Sequence, residues 1–277
     1  MIEKLQHFDR RWIFLILFLA ICGSIMHPVS LSVPIEPYVQ RSYDTINALK
    51  PGDHVLMAFD YGPSTAAEIH PAALAMLRHA LSRGAKVIMF TLWNEAVPYI
   101  QEAINEVCVP LGKKTNVDYV NFGFKSGGTT GASVIEGMGS NLKAVFPITD
   151  DGTPYDGVPA LQGVENLKDF KVLISISAGT PGIDEYVRYA NARYKIPIVA
   201  AVTRVSAPKE FPYVTERQIY GLCAGLVGGA EYEELIKYPG AGTAGLFPLS
   251  VANLAIILFI VFGNLIYFLG RIGSRKP

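Results

Sequence analysis

Two long stretches without a formal charge, one near each end of the chain, constrain everything else. No residue between Arg11 and Glu36 is charged, and the run opens Trp12-Ile-Phe-Leu-Ile-Leu-Phe-Leu-Ala-Ile-Cys22. Positions 238–270 are again free of charge, and 249–269 is almost continuously apolar. Roughly 20 apolar residues in a helix cross a bilayer. The sequence therefore predicts transmembrane helices over 12–33 and 249–269. A cleaved signal peptide is the alternative for the first, because Gly23 and Ser24 are small, although Ile25 and Met26 fit a small-residue cleavage site poorly.

Charges flanking the two segments predict an orientation. Lys4, Arg10 and Arg11 precede the first, and Arg271, Arg275 and Lys276 follow the second. On the central sides the nearest cations are Arg41 and Lys237. Basic residues stay on the cytoplasmic side, so the ends, 1–11 and 270–277, are expected to be cytoplasmic. The protein is then a two-pass protein of the cell (inner) membrane, with its central region extracytoplasmic. Ala20 and Ser24 form a small-residue face on the first helix. Asn253 and Asn264 fall on nearly the same face of the second. An amide in hydrocarbon needs a partner, which the first helix, another copy of the protein or the helix's own backbone can supply.

The remainder is a globular domain. Half of the 277 residues are apolar, 17% are charged, and 24 Lys+Arg balance 24 Asp+Glu. That composition excludes a disordered chain and removes the electrostatic basis for a nucleic-acid partner. Three cysteines and scattered histidines show no metal-ligand spacing, so neither a metal nor a cofactor is expected. Between a linker at 34–46 and a Gly-rich linker at 238–248, the region 47–237 alternates β-rich runs with amphipathic helical stretches. Strands are predicted at 54–60, 86–93, 117–122, 172–177 and 196–203. Helices come between them, one having Pro71 near its start. This pattern predicts an α/β, Rossmann-like, doubly wound and mostly parallel five-stranded sheet flanked by the two transmembrane helices.

Ligands of such sheets bind beyond the carboxyl ends of the strands. Those ends are rich in Ser, Thr and Gly, and the candidate ligand set is Asp60, Ser64, Thr65, Lys125, Ser126, Gly127, Gly128, Thr129, Ser177 and Thr180. Hydroxyls, loop amides and one ammonium suit a small anion or a polyol. The segment Gly123-Phe-Lys-Ser-Gly-Gly-Thr-Thr-Gly131 is not a P-loop, since Lys125-Ser126 precede Gly127-Gly128, and the first strand is followed by no G-x-G-x-x-G. His70, near Asp60 and Ser64, permits a Ser-His-Asp reading on paper, but beside Pro71 a structural or exposed role is expected instead. Cys108 and Cys223 read as inert core thiols that an oxidising compartment would allow to pair. Asp150 and Asp151 fall short of a calcium site and read as solvated turn residues.

Gly221, Gly225 and Gly229 recur every four residues and predict a bare helix face that packs closely on the domain's own sheet or on a neighbouring subunit. Thr215 and Gln218 have the spacing of a capping box at that helix's start. With no catalytic constellation in view, the sequence predicts a non-catalytic scaffold or small-ligand-binding subunit of a homo-oligomeric membrane assembly. The alternative is a membrane-bound hydrolase or transferase acting on an anionic small molecule at the same strand ends.

Overall fold

The structure, a computed structural model, describes residues 9–273 apart from 28, 30 and 32. The basic residues Lys4, Arg275 and Lys276 lie outside that range. The chain forms two units: Val33–Gly242, and the segments on either side of it.

Helix α1 (Arg10–Met26) is capped by Asp9, whose carboxylate accepts from Arg11 N at 2.9 Å. The α/β unit follows. Its elements are α2 (Pro37–Asn47), β1 (His54–Asp60), α3 (Pro63–Ser82), β2 (Lys86–Thr91) and α4 (Val97–Ala103, prolonged by a π turn). Then come β3 (Tyr119–Phe124), α5 (Ala132–Ser140), α6 (Leu142–Val145), β4 (Phe170–Ser177), α7 (Ile183–Tyr186) and α8 (Ala192–Tyr194). The unit ends with β5 (Ile198–Val202), α9 (Ala207–Thr215), β6 (Ile219–Ala224) and α10 (Gly225–Leu235), and the last helix is α11 (Ala241–Gly273).

All six strands are parallel, in the order β3-β2-β1-β4-β5-β6. Burial on both faces explains why the central strands read as unbroken apolar runs rather than alternating ones. Val55, Met57 and Phe59 of β1 pack in one core with Ile46, Ile69, Leu77, Ile100 and Tyr232, from α2, α3, α4 and α10. Leu56 and Ala58 pack in the other with Ile135, Tyr186, Val187 and Val214. Helices on both faces make the sheet doubly wound, as the alternation of elements implies.

The expected five strands are six. Residues 219–224 form the edge strand β6 and not the start of a helix, and Gly221 lies in it while only Gly225 and Gly229 belong to α10. The three glycines thus share no helix face. Close approach is nonetheless real and lies within the unit: a Cβ on Gly221 would collide with the backbone and hydroxyl of Ser42 in α2, and one on Gly229 would sit 3.3 Å from Ala72 N in α3. Gly225 has φ +62 and makes the abrupt strand-to-helix turn. Thr215 ends α9 and caps nothing. The supposed linker 34–46 contains α2, whose Val39, Ser42 and Ile46 are buried at helical spacing. In the stretch 238–248, α11 already begins at Ala241. Helix α3 begins at Pro63, so Pro71 lies in its interior rather than near its start.

Among the described residues, one helix is long and apolar enough to cross a membrane, over Ala241–Phe268 with mean hydropathy 2.4. The α1 helix has 17 residues, a rise of about 26 Å at 1.5 Å per residue. Ser24 Oγ donates to Ile21 O at 2.7 Å, and Asn264 Nδ2 donates to Ile260 O at 2.9 Å. Asn264 thus finds its partner in its own backbone. Asn253 and Asn264 are both exposed.

Candidate functional site

The strand order reverses between β1 and β4, the place where open α/β sheets form a ligand crevice. Asp60 ends β1 in register with Ser177 at the end of β4. Asp60 is fully buried. Its Oδ1 accepts from Leu92 N at 2.8 Å, with Thr91 Oγ1 at 3.5 Å, and its Oδ2 accepts from the hydroxyl of Tyr186 at 2.7 Å. Burial pushes the Asp60 carboxyl up to about 7 against the downward pull of those hydrogen bonds. This acid therefore ties the ends of β1 and β2 to α7.

The loop after β4 closes the crevice from the other side. Ser177 Oγ donates to Gly179 O at 3.2 Å, and the indole Nε1 of Trp93 donates to Pro181 O at 2.9 Å. The Trp93 ring lies against Gly179, where a Cβ would come within 3.2 Å of it. A Cβ on Gly182 would collide with Ser177 Oγ and Gly179 O, and one on Gly131 would lie 2.6 Å from Leu92 Cδ1 and 3.1 Å from Pro181 Cβ. Thr180–Pro181 is a cis peptide.

The parallel sheet brings the predicted residues to one edge but does not aim them at one point. Ser177, like Asp60, is buried. Ser64, Ser126, Gly128, Thr129 and Thr180 are exposed. Thr65 sits in the first turn of α3, its hydroxyl donating to Gly62 O at 3.2 Å. Lys125 is fixed at its backbone, N to Thr91 O at 2.9 Å, while its Nζ lies 5.8 Å from the centre of the Phe146 ring. Gly127 folds back on Gly131 and Val134. Four cavities among the described residues, of about 230, 240, 460 and 670 Å³, are lined by other residues.

His70 is buried inside α3. Its Nδ1 shares a 2.6 Å hydrogen bond with the Tyr61 hydroxyl, and burial lowers its pKa to about 4. Glu102, at 3.8 Å, is the carboxylate beside its other nitrogen. Asp60 is bonded elsewhere, so no Ser-His-Asp array forms. Cys22, Cys108 and Cys223 are all free thiols, the last two buried. Asp151 is a turn residue held by Thr149, Thr153 and Asn116, and these hydrogen bonds pull its carboxyl down to about 2. No group of three or more metal-ligating side chains occurs among the described residues.

In the sequence Tyr186 reads as part of an apolar helix face, Trp93 as the end of a strand, and Glu231 and Glu233 as the polar continuation of the glycine-rich helix; the structure makes all four of them hydrogen-bonding partners. Glu231 and Glu233 are buried. Glu231 Oε2 accepts from Glu36 N at 2.8 Å. Glu233 accepts from Gly240 N at 2.8 Å and Gly242 N at 2.9 Å. Acids at 231 and 233 shortly before the charge-free run 238–270 were the available signal. A scan against protein-family models, a search of the curated proteins and a search of the solved structures each found no match.

Proposed function

We propose that this protein is a membrane-anchored, non-catalytic α/β subunit that serves as a scaffold in a homo-oligomeric membrane assembly. The observation that carries this reading is the crevice at the strand-order reversal. There Asp60 is hydrogen-bonded to the chain after β2 and to Tyr186 of α7, Trp93 is bonded to the loop after β4, Ser177 turns back onto Gly179 of that loop, and the glycines between them are packed by protein. A carboxyl edge built this way braces the sheet. The buried fastenings of residues 36, 240 and 242 to α10 fit an anchored body whose chain ends must hold firm.

In this reading α1 and α11 both cross the inner membrane, with both termini cytoplasmic and the α/β unit extracytoplasmic. Light scattering on the detergent-solubilised protein tests the assembly. A protein mass well above one 30.2 kDa chain is expected, and a single-chain mass at micromolar concentration overturns the proposal. Protease added outside spheroplasts should cut within 33–242, whereas cleavage confined to inverted vesicles reverses the topology.

A further inference from the structure

At the opposite, amino-terminal edge of the sheet, the ends of α2, α3 and α10 surround a cavity of about 670 Å³. Three cations line it: Arg78 and Arg83 from α3, and Lys237 just beyond α10. None of the three forms an ion pair among the described residues, and no carboxylate lines the cavity. Arg78 is held in place by Glu106 O at 3.1 Å and by the Tyr238 ring, 3.8 Å beneath its guanidinium carbon. Asn47 and Tyr43 add an amide and a phenol to the wall.

Cations at helix C-termini are ordinary complements to the helix dipole, and among the described residues two others share the backbone geometry of Lys237. Lys195 and Arg217 adopt the same left-handed backbone as Lys237, φ 58 and 56 against 54, just past α8 and α9. Neither lines any of the four cavities. Lys237, by contrast, lines a hollow of ligand size together with Arg78 and Arg83. Unpaired guanidinium groups with an ammonium and no competing acid are the chemistry that recognises phosphate oxygens. Lys237 is also the last charge before the long apolar stretch 238–270.

We infer that this cavity binds a phosphate-bearing anion, supplied as a soluble phosphate or as the headgroup of an anionic phospholipid. The inference is independent of the scaffold reading, because it uses the other edge of the sheet.

The test uses the full chain with Arg83→Gln and Lys237→Gly, singly and together, and Lys195→Gly as the control. Glycine suits the left-handed backbone at 237, so the Lys237→Gly variant removes the charge without endangering the fold. Calorimetry with inorganic pyrophosphate in a zwitterionic detergent reads the soluble arm. Native mass spectrometry from phosphatidylcholine nanodiscs, with and without phosphatidylglycerol, reads the lipid arm. The wild type is expected to bind in at least one arm. The double variant should lose about tenfold or more in affinity, Lys237→Gly alone severalfold, and Lys195→Gly nothing. Loss in the pyrophosphate arm identifies a soluble anion, and loss of retained phosphatidylglycerol identifies a headgroup. No binding by the wild type in either arm, or equal binding by wild type and Lys237→Gly, overturns the inference.

Discussion

Tyr186 donates its phenolic hydrogen to Oδ2 of Asp60 at 2.7 Å, joining α7 to the end of β1 across 126 positions of sequence. Replacing Tyr186 by Phe leaves that buried oxygen without its donor. Hydrogen bonds to a charged acceptor contribute more than those to a neutral one, about 1.5–3 against 0.5–1.5 kcal/mol. The Asp60 carboxyl titrates near 7, so Tyr186→Phe should cost more at pH 8 than at pH 5. Denaturant unfolding of the detergent-solubilised protein at the two pH values checks it. Equal losses would show that Tyr186 braces the edge by packing alone.

Glu210 is buried on α9, with Oε2 lacking a hydrogen-bond partner among the described residues. Burial first, then the charge of Asp184, raise its carboxyl to about 7, with Lys209 opposing. A raised carboxyl contributes stability that is complete below the ordinary carboxylate range and lost as pH climbs through 7. Glu210→Gln should therefore stabilise the protein by about 1–3 kcal/mol at pH 8 and change little at pH 5. A melting temperature that falls at pH 8 would contradict this.

On the acid side the signs reverse. His70 and His79 are both pushed down to about 4, chiefly by burial. Each shares a hydrogen bond with a buried tyrosine hydroxyl, Tyr61 at 2.6 Å and Tyr232 at 2.9 Å. The unfolded chain takes up these protons near 6.5. Stability from the neutral imidazoles is thus present above that value and is lost as pH falls toward 4. The slope of stability against pH between 4 and 6.5 should flatten in the His70→Gln, His79→Gln double variant. An unchanged slope would assign the acid limb to other groups.

Gly221→Ala should be severely destabilising, because its Cβ would land on Ser42 of α2 with backbone atoms that cannot yield. Overpacking typically costs about 1–3 kcal/mol, occasionally more. Gly157→Ala, where the new atom meets only Thr153 Cγ2 at 3.6 Å, is the control. Similar melting temperatures for the two variants would mean that α2 does not press on β6.

These contrasts show where the chain was legible. Strands β1, β2, β4 and β5 stood out because burial on both faces leaves apolar runs such as Val55-Leu-Met-Ala-Phe59. Strand β6 did not. Ile219-Tyr-Gly-Leu-Cys-Ala224 contains helix-compatible residues, and the four-residue glycine spacing imitates a helix face. The need for Gly221 comes from Ser42, far away in sequence. Helix α2 carried a readable signal in Pro37 at its first turn and in Val39, Ser42 and Ile46, but its polar residues resemble a linker. At the carboxyl edge the positions of Asp60, Lys125, Ser177 and Thr180 followed from strand ends alone. The direction of the Asp60 carboxylate did not, because it depends on Tyr186, which only the tertiary fold brings there.

Glu231 and Glu233 stand two positions apart on α10, and between them they grip the backbone at residue 36 and at residues 240 and 242. A tug on one end of the α/β unit and a counter-tug on the other would consequently meet within a turn of a single helix. One helix, following directly on the edge strand β6, thus fastens the chain where it enters the α/β unit and where it leaves it.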